Sequence, residues 1–400
     1  MKKLHHCQRL TLSVCLCSVV TFFNIYWLQP LLPLLQQHFA VSSLGANLSM
    51  SASMLGMGLG LLVFATWSDA IGRNKILIGG TASGMLITLL LPFIENYTLF
   101  IALRFVQGAL LSACPAVAVP LLGDELRKSW LAGAVGFYVA SNSIGGVSSR
   151  LIGGLCATLG NSWQAAGIVI GVISLIMFAV VYKILPAQRR FTPVPFSLKV
   201  SLKSYARHLR RPRLVLMYVI IGLVFGCFVN QFSYLMMVLG DAPYSLPSGV
   251  RALMFITFFG GTISASMAGK FAKKHGQLAG VAMGVSIMLA ANLFLWEGHL
   301  SMMVIGMIAT AVGFFFTHAQ ASTLVGRSCK KHKGSAQALY SLFYYTGASV
   351  GAFFLEPFYQ SWGWAGVVTG TSIAMTTCLL LVAIEYYYIT DARDSRAQAA

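Results

Sequence analysis

"SASMLGMGLGLLVFATWSDAIGRNKILIGGTASGMLITLLLPF", residues 51–93, holds two long apolar runs separated by a short charged island, "SDAIGRNK", residues 68–75. Each run is long enough to cross a ~30 Å hydrocarbon core as a helix rising about 1.5 Å per residue. The island brings together an acid, a glycine and two basic residues, which a hydrocarbon interior accepts only at high cost. The stretch therefore predicts two membrane-spanning helices joined by a tight polar turn.

The same alternation continues along the chain, which has 400 residues, 57% of them hydrophobic and only 10% charged. Soluble domains carry about 25% charged residues. Twelve spans are expected, at 10–33, 47–67, 76–94, 98–123, 131–157, 161–185, 213–238, 249–271, 277–296, 300–325, 334–358 and 363–388. The runs are continuous rather than alternating, which predicts helices and not barrel strands. Lys2, Lys3 and Arg9 ahead of an apolar stretch look like a signal peptide. That stretch runs past residue 30 with no small-residue cleavage site, so it reads as the first span.

The net charge of +18 is a matter of topology. Of the 28 lysines and arginines, 25 fall in the termini and in alternate loops on one side; Arg251 lies opposite, and Arg104 and Arg150 lie inside spans. This positive-inside bias predicts cytoplasmic termini and argues against nucleic-acid binding. The eight cysteines are scattered, mostly within apolar runs, with neither disulfide nor zinc spacing.

The longest loop divides six spans from six. The expected layout is an N-terminal six-helix bundle at 1–185, a cytoplasmic linker at 186–212 and a C-terminal six-helix bundle at 213–400. Within the linker, "SLKVSLKSYARHLRR" places Leu198, Leu202, Tyr205 and Leu209 on one helical face, with Lys199, Lys203, Arg207, Arg210 and Arg211 around the remainder. Ser197 is its expected N-cap. This pattern predicts a short amphipathic helix on the anionic inner leaflet. Internal echoes about 200 residues apart support the division. "FFNIYW" around Asn24 pairs with "FVNQFSY" around Asn230, "NSWQAAGIVIG" from 161 with "QSWGWAGVVTG" from 360, and the island itself with "AKKHGQL" at 272–278. The fold class expected is an all-α membrane protein, twelve helices in two pseudo-symmetric bundles, an architecture used by transporters.

On these residues the chain resembles the major facilitator superfamily over essentially its whole length. The superfamily motif between spans two and three reads, loosely, Gly-x-Leu-Ala-Asp-Arg-x-Gly-Arg-Lys. Here "ATWSDAIGRNK" matches it at Asp69, Gly72 and Arg73 and departs at Ala65, Trp67, Ala70 and Asn74. Glycine suits the tight reversal. The resemblance implies a latch of the outward-facing state. In it Asp69 caps a helix of the other half, and Arg73 pairs with Asp124 or Glu125 at the end of span four. "RFVQG", 104–108, resembles a second motif, whose arginine, here Arg104, is thought to help proton movement. Span five resembles the antiporter pattern Gly-x8-Gly-x3-Gly-Pro-x2-Gly-Gly at Gly136, Gly145, Gly153 and Gly154, with Ser149 and Arg150 in place of Gly-Pro. The similarity is to the twelve-span bacterial efflux branch, including drug:proton antiporters and arabinose-efflux permeases.

Glu356 is the one acid clearly inside a span; with Arg104 and Arg150 it forms the set of coupling candidates. Polar candidates for a central cavity are Asn24, Tyr26, Gln29, Gln107 and Asn142 in the first half, and Asn230, Gln231, Tyr234, His318 and Tyr344 in the second, with Gln320, Tyr340 and Tyr345 nearby. Aromatic and amide linings suit sugars or amphipathic organic compounds. There is no phosphate-binding G-x4-G-K-[ST] loop and no H-E-x-x-H. No enzymatic activity, catalytic residue, cofactor or metal is expected, and transport would draw on ion or substrate gradients. The expected function is secondary active transport by alternating access, as proton-coupled efflux. The alternatives are an uptake symporter on the same fold and, from a different class, a polytopic membrane sensor or enzyme. The expected partners are a small-molecule substrate, protons and the lipid bilayer, without nucleic acid. The expected protein is a monomer in the cell inner membrane.

Overall fold

The computed structural model describes residues 5–191, 198–329 and 333–398. The described residues are helical, with no strand among them. The helices are α1 (His6–Tyr26), α2 (Leu32–His38), α3 (Ser43–Ile71), α4 (Arg73–Leu90), α5 (Tyr97–Leu111), α6 (Ala113–Glu125), α7 (Lys128–Gly160) and α8 (Trp163–Ile184). They continue as α9 (Leu198–Leu209), α10 (Pro212–Val238), α11 (Ser248–Ala252), α12 (Phe258–His275), α13 (Gln277–Leu295), α14 (Leu300–Ser328) and α15 (Lys333–Gln398). Twelve crossings result, because α1–α2, α5–α6 and α11–α12 each form one broken crossing and α15 forms two. Trp362 and Gly363 leave helical geometry and divide α15.

Ten helical segments are long and apolar enough to cross a membrane by composition. α15 counts once among them, and α7 is absent from them. Between Ser141 and Arg150, α7 carries four serines, an asparagine and an arginine in addition to its glycines. These polar residues lower its mean hydropathy, while Phe137, Ile144, Leu155 and Leu159 keep one face of it apolar and exposed. The first span breaks after Tyr26, where Pro30 and Pro33 remove backbone donors and interrupt the α-helical ladder.

The charged island is a helix reversal. Gly72 has φ 105° and bonds its N–H back to the Ser68 carbonyl. Its distant echo behaves alike: Gly276 has φ 85° and bonds to Ala272. L-residues with a Cβ resist that backbone conformation. The two copies of the turn share this requirement although their charges have diverged. The proposed N-cap Ser197 lies outside the described residues.

The chain packs into two compact units. One takes the described residues of Met1–Leu198 with Leu235–Phe255; the other takes those of Lys199–Tyr234 and Ile256–Ala400. In the first unit, α1 crosses α7 closely. A Cβ at Gly145 would stand 2.7 Å from the Val19 carbonyl oxygen, and one at Gly153 would stand 2.9 Å from that of Trp27. Gly154 faces the segment after α10, its Cβ position 2.7 Å from the Ser248 carbonyl oxygen. Gly136 has nothing within 4 Å, so of the four family glycines it alone packs against nothing.

In the second unit the equivalent crossing of α10 and α15 uses two glycine pairs that pattern reading overlooked, "GLVFG" at 222–226 and "GASVG" at 347–351. A Cβ at Gly347 would stand 2.1 Å from the Gly222 carbonyl oxygen, and one at Gly226 would stand 2.5 Å from that of Gly347. Small-x3-small spacing lets backbones meet directly where lipid gives helices no hydrophobic reason to associate. Gly347→Val is expected to cost about 1–3 kcal/mol or more and to lower the thermal unfolding midpoint in detergent. Gly136→Ala is expected to leave that midpoint in place.

Candidate functional site

At the charged turn, the reversal at Gly72 brings the start of α4 beside the end of α3, and Arg73 donates from Nη2 to Asp69 Oδ1 at 2.9 Å. Its Nη1 pairs with Asp124 at the end of α6. Glu125 takes a different role. Adjacent helical residues point about 100° apart, and Glu125 turns away from α4. Its Oε1 accepts the backbone N–H groups of Arg189 at 2.8 Å and Arg190 at 2.9 Å. Its Oε2 lies 3.5 Å from His6 Nε2. Asn74, a departure from the family motif, donates its amide to the Pro186 carbonyl at 2.9 Å. The start of the linker is thus tied down beside the turn.

Arg104 is fully buried in α5, and all five of its N–H donors are occupied. Nε donates to the Ser49 carbonyl at 2.9 Å. Nη2 donates to the Ile25 carbonyl at 2.9 Å and to Ser53 Oγ at 2.8 Å. Nη1 donates to the Asn24 carbonyl at 3.3 Å and to the Gln107 side chain. Asn24 and Ile25 close the last turn of α1, where a helix end leaves carbonyls without N–H partners. Gln107 continues the network to Thr88 Oγ1 at 2.5 Å, Thr88 donates to Asn24 Oδ1 at 2.5 Å, and Asn24 Nδ2 donates to Ser174 Oγ at 2.8 Å. Five helices, α1, α3, α4, α5 and α8, meet in this one network. Among the described residues no carboxylate pairs with Arg104; oriented carbonyl dipoles solvate the cation.

Arg150 lies on α7, one helical turn beyond Gly146, and is also buried. Its Nε donates to Gln29 Oε1 at 2.7 Å and its Nη1 to the Gly146 carbonyl at 2.7 Å. The guanidinium lies over Tyr26, 3.9 Å from the ring centroid, and 4.6 Å from that of Phe255. Rings facing a desolvated cation supply attraction through their quadrupoles. Nearer the other end of α7, half-buried Asn142 accepts from Ser18.

In the second unit Tyr234 donates to Glu356 Oε2 at 2.6 Å, and Gln360 donates to Oε1 at 2.7 Å. Asn230 donates to the carbonyls of Gly226 and Ala348, both at 2.8 Å, across the α10–α15 seam. Gln231 donates to Asn292, which donates on to Ser372. Gln320 is buried and bonds the Ala268 carbonyl. His318 is half-buried, with its Nδ1 2.9 Å from the Tyr340 hydroxyl. It borders a stack of rings in which Phe225 and Tyr344 have centroids 3.6 Å apart and Phe228 and Phe314 have centroids 3.9 Å apart.

A family model described as Major Facilitator Superfamily matches residues 14–352. The chain belongs to the major facilitator superfamily. It is 32% identical over 377 residues, 94% of this chain and 92% of the other, to the uncharacterized MFS-type transporter YybF of Bacillus subtilis. It is 31% identical over 374 residues, 94% of this chain and 89% of the other, to the inner membrane transport protein YnfM of Escherichia coli. Among solved structures, a bacterial homolog of the human lysosomal transporter Spinster aligns with a TM-score of 0.71 at 14% identity, covering 96% of each chain. The D-xylose-proton symporter aligns at 0.69 and 14% identity, covering 94% of this chain and 97% of that one. These likenesses establish the fold. Membership makes the protein a multi-pass membrane transporter and not an enzyme.

As a member of this superfamily, the chain divides its sequence-expected site residues by burial. Asn24, Gln29, Gln107, Gln231 and Tyr234 are wholly buried and Asn230 nearly so. They hold helices together, while Asn142, His318 and Tyr344 keep partial exposure. Ser53, Thr88, Ser174, Asn292 and Gln360 complete the networks and were not legible beforehand. A lone hydroxyl or amide in an apolar run carries no signal until its partner helix is known. Arg104→Ala removes five hydrogen bonds and is expected to destabilise the fold by about 3 kcal/mol, measured by thermal unfolding in detergent. Arg104→Lys, with fewer donors, is expected to fall between it and the parent.

Proposed function

We propose that this protein is a secondary active transporter of the inner membrane, with both termini cytoplasmic. In this reading it moves a small organic solute by alternating access and couples the solute's efflux to proton entry. One observation carries the coupling: Glu356 is the one acid clearly inside a span, and it is held by a hydroxyl and an amide. The hydroxyl can also accept a hydrogen bond, and the amide can do so through its oxygen once it turns about its terminal bond. A carboxyl held this way can gain and lose a proton with only side-chain rotation around it, as a coupling acid must. Arg104 serves chiefly as the fastener of the first half, since every donor it has is already used. Arg150, between Tyr26 and Phe255, is a better candidate for a charge that responds to the transport cycle.

The half-buried His318 and Tyr344, beside stacked rings, support a substrate with a planar or amphipathic body. The glycines Gly145, Gly153 and Gly154 support the antiporter branch and hence efflux. The presence of Ser149 and Arg150 where antiporters have Gly-Pro favours a second reading, proton-coupled uptake, and the similarity to a D-xylose-proton symporter is compatible with it. In either direction Asp69, Gly72, Arg73 and Asp124 form a cytoplasmic latch, and Glu125 anchors the linker beside it. The working unit is a monomer.

In proteoliposomes with an imposed pH gradient and a panel of sugars, amino acids and cationic drugs, Glu356→Gln is expected to reduce gradient-driven flux to background. Substrate exchange at equal pH should persist. Full gradient-driven flux in this variant would exclude Glu356 as the coupling acid. Asp69→Asn is expected to favour the inward-facing state, so cysteine probes on the cytoplasmic side should react faster; unchanged reactivity would remove the latch.

A further inference from the structure

A groove of about 850 Å³ opens in the second unit, where α9 leads into α10 beside the last turn of α14. Leu216, Leu278 and Leu324 floor it, and Arg210, Arg211 and Arg213 stand at its rim. The three arginines are exposed, whereas the leucines are half-buried. The groove sits at a span boundary. α10 begins its apolar run at Pro212, and the last crossing ends at Tyr388, which also lines the groove. Basic groups here meet apolar surface at the level where a lipid headgroup meets its acyl chains.

Among the described residues the charges at the rim do not cancel. Glu385, also in the groove, lies 3.6 Å from Arg213 Nε and balances that one guanidinium. Arg213 is further committed to the Tyr388 carbonyl at 3.1 Å. Among the described residues no acid forms an ion pair with Arg210 or Arg211. Directly before them α9 leaves Leu202 and Leu209 exposed, 55% and 43% respectively, on a helix whose Ser204 and His208 are buried. Exposed leucines flanked by Lys203 and Arg207 suit a surface that is apolar below and anionic above.

We propose that this groove binds an anionic phospholipid, with its phosphate between Arg210 and Arg211 and the upper part of its acyl chains on the leucine floor. Volume and lining match a ligand that is largely apolar with one charged end. A free phosphate would use the rim and leave the floor bare. The inference rests on the membrane-transporter reading only for the leaflet in which the lipid resides.

The test uses the full chain, purified and delipidated in detergent, and titrates phosphatidylglycerol against phosphatidylcholine of the same acyl chains by native mass spectrometry. The parent protein is expected to prefer phosphatidylglycerol. Arg210→Gln with Arg211→Gln is expected to weaken its binding by about 5-fold per arginine, about 25-fold together. Leu216→Trp, which fills the floor without changing charge, is expected to weaken it as well. Lys273→Gln with Lys274→Gln removes equal charge from the α12–α13 turn and is expected to bind like the parent. Parent-like binding by the double arginine variant, or an equal loss in the lysine control, would overturn the site. Thermal stabilisation by millimolar inorganic phosphate equal to that by phosphatidylglycerol would overturn the lipid assignment in favour of a soluble anion. Binding in micelles is read without flux, so a protein that transports nothing in liposomes leaves this result standing.

Discussion

Arg104 occupies the place where the first span breaks. Hydrocarbon offers no water to satisfy a backbone carbonyl, so a helix that ends inside a membrane needs a donor from elsewhere in the protein. Arg104 provides it for Asn24 and Ile25, and for Ser49 of the second span. Five donors from one side chain thereby join α1, α3 and α5, and Gln107, Thr88 and Asn24 extend the connection to α4 and α8. The break in α1 and the buried charge are each costly alone. Each supplies what the other lacks, which is why both are tolerated in one apolar bundle.

The two units solve a common packing problem with related parts. In one, Gly145 and Gly153 let α7 approach α1; in the other, Gly222, Gly226, Gly347 and Gly351 let α10 approach α15. The seams differ in polarity where they carry buried groups. The first holds Arg150 against Gln29 and Tyr26, the second holds Glu356 against Tyr234. A basic group in one seam and an acidic group in the other is a division of labour that duplication followed by divergence allows.

The charged turn shows how a family pattern and a particular chain differ. Arg73 pairs with Asp69 of the motif and with Asp124 at the end of α6. Glu125 and Asn74 are used to seat the linker, through the backbone N–H groups of Arg189 and Arg190 and the Pro186 carbonyl. The loss of a basic residue at position 74 therefore has a local structural use, a tether between the turn and the segment that leaves the first half.

The sequence by itself determined the membrane class, the twelve crossings, the reversal at Gly72 and its echo at Gly276, and the superfamily. Hydrophobic run length, charge asymmetry and the need for positive φ are local properties that each stretch displays alone. Tertiary structure decided which polar residues fasten helices and which remain accessible. Asn24, Gln107 and Asn230 looked like cavity residues because an amide in an apolar run has the same signature in either role. Burial and a partner on another helix distinguish the roles, and partners such as Thr88 or the Ala348 carbonyl are far away in sequence. The division between Asp124 and Glu125 likewise depended on the direction of two neighbouring side chains about 100° apart on a helix, which only the packed neighbours of α6 could resolve.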